Sequence, residues 1–90
     1  MSWENEASRI LRAEIVRRGI NYRQLARHLA ELGVHETQRS IASKLSRGSF
    51  SFVFALQCLK ALGVETLKVT LPDEIGPSGP LSSGAPLKSP

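Results

Sequence analysis

Ile20-Asn21-Tyr22-Arg23-Gln24-Leu25-Ala26 is the stretch whose reading decides the fold. Asn is a residue type that caps a helix from just outside, its side-chain oxygen accepting a free backbone N–H of the first turn. Gln24, three positions on, reaches back to the Asn21 N–H and completes a capping box. Ile20 before the cap and Leu25 at the fourth helical position have the spacing of a hydrophobic staple. These signals agree, so a helix starts at Tyr22 and buries Leu25, Ala26, Leu29 and Leu32.

Gly33 lies just beyond that helix. Gly19, Gly33, Gly48 and Gly63 recur at spacings of 14, 15 and 15 residues. Each follows apolar residues at helical period, where a left-handed residue commonly ends a helix. The chain therefore reads as four short helices, each closed by a glycine. Upstream, a helix over about residues 3–18 carries Trp3, Ala7, Ile10, Leu11, Ile15 and Val16 as its apolar set, with Ser2 as cap. Glu4 and Glu6 in its first turn and Arg17 and Arg18 in its last suit the helix dipole. Downstream, a third helix begins between His35 and Thr37 and runs to Arg47, mostly polar, with a thin seam of Ile41, Leu45 and Ala42. A fourth follows Ser51, with Phe52, Ala55, Leu56, Leu59 and Leu62 as its stripe. The alternation of Phe50, Phe52 and Phe54 also permits a strand, but the run to Leu62 continues at helical period and is rich in helix formers.

Past Gly63 the period changes from helical to two. Thr66-Leu67-Lys68-Val69-Thr70-Leu71 alternates and is β-branched, which reads as a half-buried strand ending at Pro72. Two arrangements remain open for it: an extended tail packed on the first or fourth helix, or antiparallel pairing with the same strand of a second copy about a two-fold axis. Residues 76–90 hold three Gly, four Pro and four Ser, too little apolar surface to offset ordering, and are expected to be disordered. The expected organisation is one unit over residues 1–71, all-α with one C-terminal strand, and a disordered tail over residues 72–90.

Ninety residues fit one small domain and exclude a two-domain enzyme with an interdomain cleft. The longest apolar run, Phe52-Val53-Phe54-Ala55-Leu56, is far short of the roughly 20 residues of a membrane-spanning helix. The acidic start Ser2-Trp3-Glu4-Asn5-Glu6 lacks the plan of a signal peptide, so a cytoplasmic location is expected. Cys58 has no partner cysteine and reads as a small core hydrophobe. With His28 and His35 it makes no zinc-ligand pattern. No catalytic constellation, cofactor, metal or small-molecule substrate is expected, and the chain does not read as an enzyme.

The net charge of +4 is unevenly placed. Residues 17–47 carry seven bases against two acids, a net +5. That is the footprint of a phosphate-binding face, although an ordinary solvated helix surface has the same composition. The thin seam of the third helix favours the former. A recognition helix holds its domain on one side and presents hydrogen-bonding side chains on the other. At 100° per residue the side away from Ile41 and Leu45 carries Arg39, Ser40, Ser43, Arg47 and Glu36, with Gln38 and Lys44 flanking the seam. Arg can pair with a guanine edge and Gln with an adenine.

Gln24-Leu25-Ala26, Leu29, Leu32-Gly33-Val34, Ile41, Leu45, Arg47-Gly48 and Lys60-Ala61-Leu62-Gly63-Val64 together resemble the helix-turn-helix domain of the Cro and lambda-repressor type. More narrowly, Ser43-Lys44-Leu45-Ser46-Arg47-Gly48, Phe50 and Gln57-Cys58-Leu59 are similar to a family of short bacterial proteins of that class. The resemblance spans about residues 7–71. It implies a sequence-specific regulator of double-stranded DNA, a dimeric repressor reading an inverted repeat. Its implied base readers are Gln38, Arg39, Ser40, Ser43 and Lys44, and its implied phosphate contacts are Tyr22, Arg23, Arg27, Arg47 and Ser49. Leu67, Val69, Leu71 and Phe54 would form the dimer interface. Tyr22 stands where the family often has Gln, and the stretch from Leu29 to Gly48 is several residues longer than usual, so the turn or the recognition helix is extended. The alternative is an adaptor or antitoxin-like module that keeps the shape but binds a protein.

Overall fold

The computed structural model describes residues 2–72, which form four α-helices: α1 (Trp3–Arg17), α2 (Tyr22–Glu31), α3 (Gln38–Arg47) and α4 (Phe52–Ala61). The tail expected to be disordered lies, from residue 73 on, outside the described residues.

Every helix begins on a side-chain cap. Ser2 Oγ accepts the Asn5 N–H at 3.0 Å, and Ser51 Oγ accepts the Phe54 N–H at 2.9 Å. At α2 the expected reciprocal pair is present, with Gln24 N–H to Asn21 Oδ1 at 2.8 Å and Asn21 N–H to Gln24 Oε1 at 2.9 Å. The start of α3 falls just past the expected range, because Thr37 is the cap rather than a helical residue. Its partner is Ser40, whose N–H donates to Thr37 Oγ1 at 3.0 Å and whose Oγ accepts the Thr37 N–H at 2.8 Å. A serine in the place of the usual Glu or Gln hides this box in the sequence.

Three helices end in one way. Ile20, Val34 and Val64 donate their N–H groups to the carbonyls of Ile15, Leu29 and Leu59, and the glycine before each donates two residues closer. This is the Schellman closure, with an apolar residue after the glycine to pack back on the core. Ile20, Val34 and Val64 are all packed against the core. Helix α3 differs, with Gly48 itself as the left-handed cap at φ +74 and polar Ser49 following.

Helix α3 packs against α1 and α2, and α4 packs against α2 and α1. The core is Leu11 and Ile15 of α1, Leu25 and Leu29 of α2, Ile41 and Leu45 of α3, then Phe54, Cys58, Leu59 and Leu62. Two fixtures set α3 on α1. The buried Ser8 hydroxyl donates to the Leu45 carbonyl at 2.5 Å, one of the last-turn oxygens that a helix leaves without a partner. Gly48 lies against the Glu4 backbone.

Several expected faces are corrected. On α4 the buried stripe is Phe54, Cys58, Leu59 and Leu62, while Phe52 is 75% exposed and Val53 and Leu56 are also exposed. Both stripes have helical spacing. Phe54 wins because its ring meets Phe50, with centroids 5.6 Å apart, and lies under the Lys44 ammonium at 4.7 Å. Phe54, expected at a dimer face, is therefore only 4% exposed and has no surface to offer a second copy. Trp3, Val16 and Leu32 are likewise exposed.

Residues 66–71 form no ladder with any of the described residues. Leu67 packs against the core. Leu67, Lys68, Val69 and Thr70 share a hollow with Arg9, Ala13 and Arg17 of α1. Val69 and Leu71 are exposed. No helix among the described residues is long and apolar enough to cross a membrane.

Candidate nucleic-acid interface

The connection between α2 and α3 is residues 32–37, and α3 itself has 10 residues. The stretch from Leu29 to Gly48, expected to extend either the turn or the helix, thus divides into a turn over residues 32–37 and a helix of 10 residues. The turn carries Glu36, which the sequence places on the outward side of the helix. Glu36 instead precedes the Thr37 cap and folds back along one flank of α3. Its Oε1 accepts the Ser40 hydroxyl at 2.6 Å, and its Oε2 accepts Lys44 Nζ at 2.5 Å. Burial opposes ionisation of Glu36, but the hydrogen bonds from Lys44 and Ser40 and the Lys44 charge outweigh it and hold the carboxyl below its usual range. Lys44 is also the cation over Phe54.

Two of the five expected base readers are thus bound to Glu36. Ser40 serves the cap and Glu36, and Lys44 ties the turn to α4. The other three, Gln38, Arg39 and Ser43, are exposed. Arg47 is exposed too, and its Nη1 donates to Ser43 Oγ at 2.6 Å. A helical wheel puts Arg39, Ser43 and Arg47 opposite the Ile41/Leu45 seam.

Tyr22, at the first position of α2, lines a hollow of about 480 Å³ with Thr37, Gln38, Arg39 and Ala42. The starts of α2 and α3 therefore share one side of the molecule, and Tyr22 stands beside the expected readers. Arg23 and Arg27 are exposed and lie, by wheel geometry, opposite the Leu25/Leu29 seam. Ser49 is exposed just past the end of α3.

Neutralisation divides the basic residues into two groups. Glu6 and Glu14 are buried on α1. Glu6 is held by Arg9 through both carboxylate oxygens, and that hydrogen bonding lowers its pKa. Glu14 takes Arg17 at 2.6 Å and Arg18 at 3.8 Å. Arg17 and Arg18, counted in the basic central segment, are thus tied down at the end of α1. In contrast, Arg23, Arg27, Arg39 and Arg47 have no ion pair with a described carboxylate. The sequence did not show that Glu6 and Glu14 are buried, nor the pair made by Glu36, which lies outside the helix that carries Lys44. The i, i+3 spacing of Glu6–Arg9 and Glu14–Arg17 was the one available signal.

His28 Nδ1 is 3.8 Å from Glu31 on the exposed side of α2. Among the described residues no three His, Cys, Asp or Glu side chains gather as a metal-holding group.

Residues 3–67 match a family model described as a domain of unknown function, DUF6471. The match runs from the first residue of α1 through Leu67 and takes in all four helices. No curated protein and no solved structure matches the chain.

Proposed function

We propose a function for this chain, which belongs to the DUF6471 family, a domain of unknown function. In this reading it is a sequence-specific binder of double-stranded DNA of the Cro and lambda-repressor type, and it acts as a transcriptional repressor in the cytoplasm, on the nucleoid when bound. The observation that carries the reading is the sorting of charge. Arg23, Arg27, Arg39 and Arg47 on α2 and α3 are exposed without a described carboxylate partner, although α1 and the turn have acids that neutralise other bases. A cationic face left uncompensated in this way suits a polyanion, whose condensed counterions are released on binding.

Helix α3 enters the major groove, where each base pair presents a distinct set of donors and acceptors. Arg39, Gln38 and Ser43 read base edges. Ser40 and Lys44 contribute by fixing the pose of α3 through Glu36 and reach a base only by leaving that carboxylate. Tyr22 and Arg23 at the start of α2, with Arg27, Arg47 and Ser49, hold phosphates and set the register.

The active form is a homodimer on an inverted repeat, with half-sites about 34–36 Å apart. Support comes from residues 65–72, whose backbone makes no backbone hydrogen bond to a described residue. Exposed Val69 and Leu71 flank that open edge. Antiparallel pairing of two copies satisfies both.

A selection of random duplex DNA on the purified chain tests the reading. It should enrich one sequence, present as an inverted repeat. Recovery of unselected sequence, with affinity independent of salt, would sink it. The adaptor reading has one observation in its favour, the apolar exposed side of α4 formed by Phe52, Val53 and Leu56. That reading predicts no duplex enrichment.

A further inference from the structure

We infer that Arg12 of α1 is an additional phosphate contact, taking the DNA backbone at the C-terminal end of α3. The inference rests on the DNA-binding reading and extends its interface onto a helix that neither the sequence reading nor the family match assigns to it.

The two flanks of α3 are not alike. One carries Ser40 and Lys44 and is closed by Glu36. The other carries Gln38, Ala42 and Ser46, four residues apart and so in one column along the helix. That column has an open hollow at each end. Tyr22 lies at the first, with Gln38 and Ala42. The second is a groove of about 710 Å³ between α1 and α3, lined by Arg9, Arg12, Arg17, Val16, Leu45 and Ser46. At ~1.5 Å of rise per residue the column is ~12 Å long. A sugar–phosphate strand beside α3 therefore follows the open flank, leaves Tyr22 at one end and passes over the groove at the other.

Three arginines meet it there, in different states. Arg9 is held by Glu6 and Arg17 by Glu14. Arg12 is exposed and has no ion pair with a described carboxylate. Its helical neighbours are Ser8 and Arg9 on one side and Ile15 and Val16 on the other, so no acid stands within reach along the helix. With Arg9 and Arg17 each held by a glutamate, Arg12 is the guanidinium of this groove without a described carboxylate and so open to an anion. Its forked donors match phosphate oxygens.

The test compares the full chain with Arg12→Gln and Arg12→Lys on the selected duplex and on a scrambled one, from 50 to 200 mM salt. The Gln variant is expected to bind both duplexes more weakly by the same factor. One lost phosphate contact removes about 0.9 from the salt slope, so its affinity should fall about threefold less than the wild type's over that range. The Lys variant keeps the wild-type slope, and a thermal melt at the wild-type temperature separates the effect from unfolding. Wild-type affinity and slope in Arg12→Gln on the selected duplex overturn the role of Arg12 and leave the α3 reading standing. A wild-type chain that binds neither duplex overturns both.

Discussion

A β-carbon built on Gly48 would stand 2.2 Å from the carbonyl oxygen of Glu4. The contact is backbone to backbone, so no side chain can swing away from it. The end of α3 is thereby pressed on the start of α1, and the Ser8–Leu45 hydrogen bond holds the same pair of helices one turn further in.

Gly48→Ala must therefore move a helix end as well as strain a residue at φ +74. Gly63 has an equally left-handed φ of +80 but nothing within 4 Å of a built β-carbon. Gly63→Ala should cost about 1 kcal/mol for backbone strain alone, and Gly48→Ala about 2–4 kcal/mol once overpacking is added. In a domain this small each kcal/mol shifts the melting temperature by roughly 4–8 °C. Thermal unfolding of the two variants should separate them clearly, and equal melting temperatures would contradict the close approach.

Residues whose partners lie within one turn were readable in advance. Ser2, Asn21 and Ser51 cap the helices they were expected to cap, because a cap bonds three residues away. The glycine stops were readable for the same reason. What failed needed tertiary information. Phe52 and Phe54 are two residues apart, and both begin a stripe of helical spacing; only the positions of Phe50 and Lys44 decide which turns inward. The candidate site divides in the same way. Arg39 and Ser43 face outward because the seam of Ile41 and Leu45 fixes the opposite side. Lys44 is drawn off by Glu36, eight residues back and outside the helix, a pairing no helical spacing predicts.

The Glu36 carboxyl makes a signed prediction for pH. Its folded-state pKa lies below the usual value, with Lys44 and Ser40 bonds overcoming the effect of burial. An unfolded Glu titrates near about 4.3. The pair's contribution is therefore present in full above that value and is lost as pH falls through the lower folded value. Glu36→Gln should destabilise the chain at pH 7, with the gap to wild type closing as both are acidified below pH 4. A gap that stays constant across that range would show that Glu36 acts only by shape.

Cys58 sits fully buried on α4, and burial pushes its thiol up to about 12, with the Glu36 charge adding to the shift. The thiolate is the reactive form. A disulfide reagent at pH 8 should find the native chain unreactive and react at once in denaturant. The native rate then reports opening of the core around α4. Prompt reaction of the folded chain would place the thiol at the surface, against the packing of α4 on α2.

Arg39 and Arg23 should fail differently. Arg39 is exposed beside Gln38 and opposite the core seam of α3, so in the proposed complex its guanidinium faces base edges. Losing a bidentate base contact costs about 1–3 kcal/mol and relaxes choice at that base pair. Arg39→Ala should therefore weaken the selected duplex by roughly 5- to 150-fold while its affinity for scrambled duplex changes little. In the same proposed complex Arg23, at the second position of α2, serves the DNA backbone. Arg23→Ala should weaken both duplexes equally and remove about 0.9 from the salt slope. Lys44→Met supplies the contrast between reading and support. If Lys44 acts through Glu36 and Phe54, its loss lowers the melting temperature and weakens both duplexes together, with sequence preference intact. Binding titrations of the three variants on both duplexes, each with a melting curve, discriminate these outcomes. A change of sequence preference in Lys44→Met at unchanged stability would return that side chain to the bases.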